Sequence, residues 1–220
     1  MPLTPAPLSP AQPPIAPAAP AWPPVLRQDT RTRPSSEQAL AQVDQDLWVF
    51  GYGSLIWRPE FESSEQHLCT VHGWHRALKM WSRVNRGTPE QPGLVLALLT
   101  GGSCKGMAFR IPKAQARDDL PRLWAREMPN QGVYDAKWLT CITAKGPVKA
   151  LAFTLSRESP NFTGELTPAL YQQIFTQATG RYGSTLDYAR ATHECLVAHG
   201  IHDRQLARLL AHAGSQQAAA

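Results

Sequence analysis

Leu47-Trp48-Val49-Phe50-Gly51-Tyr52-Gly53-Ser54-Leu55-Ile56-Trp57 joins a short apolar, β-prone run to a glycine-rich turn. The run Leu47 to Phe50 shows no polar side to water, which predicts a buried strand, and Gly51 stops it. Two glycines flanking one tyrosine let the chain turn sharply and bring backbone amides close to a bound group. Successive N–H groups in such a turn can form a concave anion site, with the Ser54 hydroxyl beside it. The alternative is a tight turn in a closed sheet and nothing more. A dinucleotide fingerprint is excluded, because the third glycine is missing and no helical pattern follows.

Working outward, the first half of the chain reads as strands. His67 to Trp74 and His75 to Arg83 form two expected strands around Gly73. Leu94 to Thr100 and Lys105 to Ile111 form two more around Gly101-Gly102. Val133 to Thr143 and Val148 to Leu155 flank the turn Lys145-Gly146-Pro147, with Leu151, Phe153 and Leu155 on one face at period two. Helices are expected at Glu37 to Asp46, at Lys113 to Glu127, and through most of the C-terminal third. There Thr167-Pro168 is an N-cap followed by proline at the first helical position, Ser184 opens a second helix and Asp203 caps a third. Strands first and helices late predict an α+β fold: a closed or strongly curved sheet with helices against it.

The remainder bounds the domain and its setting. Met1 to Pro34 holds 11 of the chain's 20 prolines, which precludes helix and central strand. A disordered Pro/Ala-rich tail is therefore drawn over 1–40, one folded domain over 41–213 and a short disordered tail over 214–220. No apolar run approaches the roughly 18 residues of a membrane helix. The net charge of +5 comes from 22 basic residues spread along the chain without a basic block, so no nucleic-acid partner is expected. Cys69, Cys104, Cys141 and Cys195 form no C-x-x-C pair, and the start carries no secretory signal. These point to a reducing cytoplasm and to thiols used as small buried hydrophobes. His67, Cys69, His72 and His75 lie close in sequence, but strand alternation puts His72 opposite His67 and Cys69, so no metal site is expected.

Glu127 stands three residues after Trp124, four after Leu123 and seven after Leu120, on the apolar face of the expected helix. A carboxylate there is either a snorkelling surface group or a half-buried base whose proton affinity burial has raised.

Phe50-Gly51-Tyr52-Gly53-Ser54-Leu55-Ile56-Trp57 resembles the signature of the ChaC family of γ-glutamylcyclotransferases. Three further blocks carry the same resemblance in order: Asn85-Arg86-Gly87-Thr88-Pro89-Glu90-Gln91-Pro92-Gly93-Leu94, then Gly101-Gly102-Ser103-Cys104-Lys105-Gly106 in its bacterial form, then Trp124-Ala125-Arg126-Glu127-Met128 with Gly132-Val133-Tyr134. The resemblance spans Leu47 to Ala211 and implies a small mixed β-barrel with surrounding helices. It implies cleavage of glutathione into 5-oxoproline and cysteinylglycine, without metal or cofactor. Glu127 becomes the acid/base, and Phe50, Gly51, Tyr52, Gly53, Ser54 and Leu55 the pocket for the γ-glutamyl end. Tyr134 either donates to the substrate or packs on the barrel. Arg86 either pairs with a substrate carboxylate or stabilises its loop. Tyr188 is expected in the core. A monomer is the default for so small a self-contained site. Another γ-glutamyl compound as substrate, or a silent binding module, remain the alternatives.

Overall fold

The computed structural model of the chain describes Trp22, residues 29–128 and residues 133–214. Five strands close a barrel: β1 (Leu47–Gly51), β2 (Glu65–Ser82), β3 (Gly93–Ile111), β4 (Asp135–Thr143) and β5 (Gly146–Thr154), in the order β1-β3-β2-β4-β5. All neighbouring pairs are antiparallel except β1 and β5, which close the barrel in parallel at Trp48 with Ala150 and Val49 with Leu151. This is the mixed barrel of an α+β fold.

Two long strands stand where four short ones are expected. β2 and β3 have 18 and 19 residues and pair from Glu65 with Arg110 to Ser82 with Gly93. The glycines that suggest turns instead bend a continuous hairpin. Gly73 takes φ +80°, Gly101 +102° and Gly102 +72°, and the register slips between His72 and Trp74, opposite the Gly101-Gly102 pair. Both strands thus bulge at one level, which curls the sheet without interrupting it.

Among the described residues, six helices surround the barrel: α1 (Ser36–Leu40), α2 (Ser54–Trp57), α3 (Lys113–Glu127), α4 (Pro168–Gln177), α5 (Thr185–Ala198) and α6 (Arg204–Gly214). Their starts are local. The Thr167 hydroxyl accepts from the Leu170 amide, and Ser184 forms a reciprocal capping box with Asp187. The Asp203 carboxylate accepts from the Leu206 amide. A two-stranded ribbon, β6 (Thr179–Gly180) with β7 (Gly183–Ser184), links α4 to α5 and is not anticipated by the sequence reading. Nor is α2, a single turn directly after the glycine loop.

Both faces of the sheet are buried, which is why Leu94 to Leu99 reads as an unbroken apolar run. Phe50, Leu96, Leu98 and Ala152 join one core with α4, α5 and α6. Val49, Ala97, Leu99, Leu151, Phe153 and Leu155 join the other with α1 and α3. Cys69, Cys104 and Cys141 are buried, Cys195 is half-buried, and all four are free thiols. Cys69 points into the core while His72 faces solvent.

The disordered tail does not reach residue 40 as drawn. The Ser35 hydroxyl and Gln38 form a capping box that starts α1, which is shorter than the expected Glu37 to Asp46 helix, and Ala39 is buried. Ahead of it, Arg33 lies 2.7 Å from Asp29 and 2.9 Å from Asp135, and Arg31 bonds the same two carboxylates. Charge pairing, not apolar burial, orders this stretch, and the proline count does not reveal it. Further upstream, the Trp22 indole donates to the Pro92 carbonyl at 3.1 Å. The rest of residues 1–28 and the tail from 215 lie outside the described residues.

Candidate active site

The glycine loop leaves β1 and enters α2 against three supports. From below, Gly106 of β3 passes so near that a Cβ there would sit 2.4 Å from the Gly51 carbonyl oxygen and 2.6 Å from the Phe50 ring. Phe50 itself is wholly buried and Leu55 nearly so; they pack beneath the loop and support it. From the side, buried Arg76 donates Nε to the Tyr52 carbonyl at 2.8 Å and Nη2 to the Lys105 carbonyl at 2.7 Å. From the front, a Cβ on Gly53 would meet the Tyr188 hydroxyl at 3.1 Å. With the Tyr52 carbonyl so fixed, the amides of Ser54 and Leu55 open α2, where a helix has no internal acceptors for them.

Three phenols line the same region. The Tyr52 hydroxyl donates to the Phe153 carbonyl at 2.7 Å. The Tyr134 hydroxyl donates to the Leu96 carbonyl at 3.5 Å, and the Tyr188 hydroxyl accepts from the Leu96 amide at 3.3 Å. Burial pushes the Tyr52 and Tyr134 phenols well up and Tyr188 up to about 12, and the charge of Glu127 adds to each shift. All three therefore stay protonated near neutrality and can donate hydrogen bonds.

Glu127 ends α3. Leu120, Leu123 and Trp124 on its face are buried, and its side chain is only 14% exposed, which decides against a snorkelling surface group. Burial raises its carboxyl to about 7, and the nearby Glu60 adds to the rise while Arg126 opposes it. Its place at the carbonyl end of a helix disfavours the anion in the same sense. A carboxyl half-ionised near pH 7 can both take and return a proton.

Arg86 is buried and engaged with protein. Its guanidinium lies 5.2 Å from the Tyr188 ring centre and donates to the Tyr182 carbonyl. Its backbone amide donates to the Ser82 hydroxyl oxygen at 3.0 Å, and its carbonyl accepts from the Thr185 hydroxyl at 3.1 Å. These are the contacts of a loop-stabilising residue that also borders Tyr188.

The expected residues from Phe50 to Leu55, Glu127 and Tyr134 are thus brought together, with Arg86 at the Tyr188 side. Three participants escape the sequence reading. Tyr188 reads as a core position on α5, and its hydroxyl reaches Leu96 across 92 residues of chain. Arg76 is a lone cation between Trp74 and Ala77-Leu78, a signal of a buried, paired charge. Arg126 lies within a recognised block but gives no separate signal; its Nη2 donates to the Ser54 hydroxyl at 3.1 Å. Among the described residues, no three His, Cys, Asp or Glu side chains converge as a metal site would need.

The family described as ChaC-like protein matches residues 47–216. A glutathione-specific γ-glutamylcyclotransferase of Escherichia coli (strain K12) is 34% identical over 165 residues, covering 74% of this chain and 71% of that protein. One from Schizosaccharomyces pombe is 30% identical over 167 residues, covering 68% and 82%. The crystal structure of a yeast γ-glutamyl cyclotransferase specific to glutathione superposes with a TM-score of 0.71 at 20% identity, over 78% of this chain and 97% of that one, which establishes a shared fold.

Proposed function

The chain belongs to the ChaC-like family, and on that footing we propose that it is a glutathione-specific γ-glutamylcyclotransferase with Glu127 as acid/base. The observation that carries the assignment of the base is a buried carboxyl, tuned to about 7, at the end of the helix facing the glycine loop.

The chemistry asks for little else. The α-nitrogen of the γ-glutamyl group attacks its own γ-carbonyl carbon. A C–N bond forms and closes a five-membered lactam, while the bond from that carbon to the cysteinyl nitrogen breaks. Two protons leave the α-ammonium nitrogen as it becomes the lactam N–H. Glu127 takes one before attack and gives it to the departing nitrogen. The second, released after attack, leaves with the cysteinylglycine amine as its ammonium, giving 5-oxoproline and cysteinylglycine with no water consumed. Nucleophile and electrophile share one molecule, so the protein's main task is to hold the folded conformer. The Ser54 and Leu55 amides and the Ser54 hydroxyl are suited to the γ-glutamyl carboxylate or to the developing oxyanion. Tyr52, Tyr134 and Tyr188 supply neutral donors around the same group. Arg86 holds the loop that borders the site on the Tyr188 side.

The setting follows from the same reading. A self-sufficient monomer is the default for so small a site. Four free thiols support a reducing cytoplasm. No helix among the described residues is long and apolar enough to cross a membrane.

Incubation with reduced glutathione, and separately with a γ-glutamyl amino acid, tests the proposal. Formation of 5-oxoproline and cysteinylglycine from glutathione, with little turnover of the second compound and almost none by Glu127→Gln, is expected. Preference for the γ-glutamyl amino acid would overturn the substrate; near-normal turnover by Glu127→Gln would overturn the base.

A further inference from the structure

Arg126 precedes the proposed base and ties together segments distant in sequence. Its Nε lies 3.2 Å from Glu127 Oε1 and its Nη2 donates to the Ser54 hydroxyl at 3.1 Å. Its Nη1 donates to the Arg58 carbonyl at 2.5 Å and lies 3.2 Å from Glu60 Oε2. One planar fork therefore spans the last turn of α3, the glycine loop and the turn after α2. Only 19% of its side chain is exposed.

Glu60 is unusual in its own right. At φ +60° it is the only non-glycine residue among those described with a left-handed backbone. Glutamate gains nothing from that conformation, and a cost on the order of 1 kcal/mol or more is typical for it. The strained turn aims the Glu60 carboxylate at two guanidiniums, Arg58 at 2.7 Å and Arg126 at 3.2 Å. Arg126 thus has two carboxylate partners, one of them Glu127 and the other held in place by a strained backbone.

We propose that Arg126 and Glu60 are a positioning pair for Glu127: Arg126 fastens the Glu127 carboxylate to the glycine loop through Ser54, and Glu60 sets how much of the guanidinium's charge Glu127 receives. The inference deepens the acid/base reading and rests on it for its catalytic meaning. The other groups facing Glu127 are phenols, Tyr52 from the glycine loop, Tyr134 before β4 and Tyr188 from α5, and all stay neutral. Arg126 and Glu60 are therefore the charged groups that act on Glu127, with opposite signs: Arg126 lowers its proton affinity and Glu60 raises it. A fork serves better than a point charge here, because it must meet a hydroxyl, a carbonyl and two carboxylates at once.

The test compares Arg126→Gln, Arg126→Lys and Glu60→Gln with the unaltered protein, without and with substrate. Without substrate, the Glu127 carboxyl is titrated by carbon NMR on glutamate-labelled protein, its signal identified by its loss in Glu127→Gln. The midpoint is expected to move up in Arg126→Gln and down in Glu60→Gln. With glutathione, Arg126→Gln is expected to lose roughly 10- to 100-fold in kcat, with KM changed far less, as misplacement of a reacting group does. Arg126→Lys is expected to return the midpoint but only part of kcat. Midpoints that stay put, or move the same way in Arg126→Gln and Glu60→Gln, would overturn the proposal. So would a loss of activity in Arg126→Gln that tracks only its folded fraction. The titration needs no turnover, so a failure of the acid/base reading, seen as an active Glu127→Gln, is distinguishable from a failure of the pair.

Discussion

Replacing Glu127 by glutamine should make the protein more stable, and more so as the pH rises. Burial raises the Glu127 carboxyl from 4.5 to about 7 in the folded chain. Between those values the folded state holds a proton that the unfolded state has released, so stability contributed by this residue falls as pH climbs from 4.5 to 7 and then levels off. A rise of that size, at 1.36 kcal/mol per unit, costs about 3 kcal/mol at pH 8 and less than about 1 kcal/mol at pH 5. Glutamine cannot ionise and escapes the cost. Urea unfolding of both proteins at pH 5 and pH 8 measures it, because every other titrating group cancels in the difference between them. The advantage of Glu127→Gln should grow by about 2 kcal/mol between the two conditions. An advantage that is the same at both, or that shrinks with pH, would refute the claim that Glu127 is held at a raised proton affinity by the fold.

Other expectations follow from the same geometry. With a base near 7, kcat/KM for glutathione should fall about tenfold from pH 8 to pH 6; a profile flat down to pH 5.5 would contradict it. Gly106→Ala pushes a Cβ to 2.4 Å from the Gly51 carbonyl. Since backbone cannot yield as a side chain can, a loss of about 1–3 kcal/mol is expected, with kcat/KM depressed beyond what the folded fraction explains. Tyr188→Phe should lower stability by about 1 kcal/mol, read by urea unfolding, because the Leu96 amide loses its acceptor. Arg33→Ala, which leaves Asp29 and Asp135 to share Arg31 alone, should lower Tm measurably and should do so less at high salt.

What the sequence disclosed and what it withheld divide along contact distance. Thr167-Pro168, Ser184 and Asp203 mark helix starts because a cap acts within three residues, and Lys113 to Glu127 is bounded where its apolar stripe begins and ends. The residues between Phe50 and Leu55, together with Glu127, were identifiable through the resemblance of several blocks in order. The long hairpin was misread because Gly73 and Gly101-Gly102 look like stops taken singly; only their meeting across β2 and β3 makes them a bend. The parallel closure of β1 on β5 joins residues about 100 positions apart and leaves no local mark. Tyr188 and Arg126 fall in the same class: one is a helix residue like its neighbours, the other an arginine beside an acid, until folding brings Leu96 to the first and Ser54 to the second.

The clamp of Asp29, Arg31 and Arg33 on Asp135 has a bearing on how such chains are cut and compared. Likeness to the family begins at residue 47, yet Asp29 and Arg33 are almost fully enclosed and grip the residue next to Tyr134. The inherited unit and the mechanical unit therefore differ in length. A fragment trimmed to the region of likeness would keep every recognisable signature while leaving Asp135 without its counter-ions at the entry to β4, so alignment boundaries are poor guides to where this chain tolerates a blade.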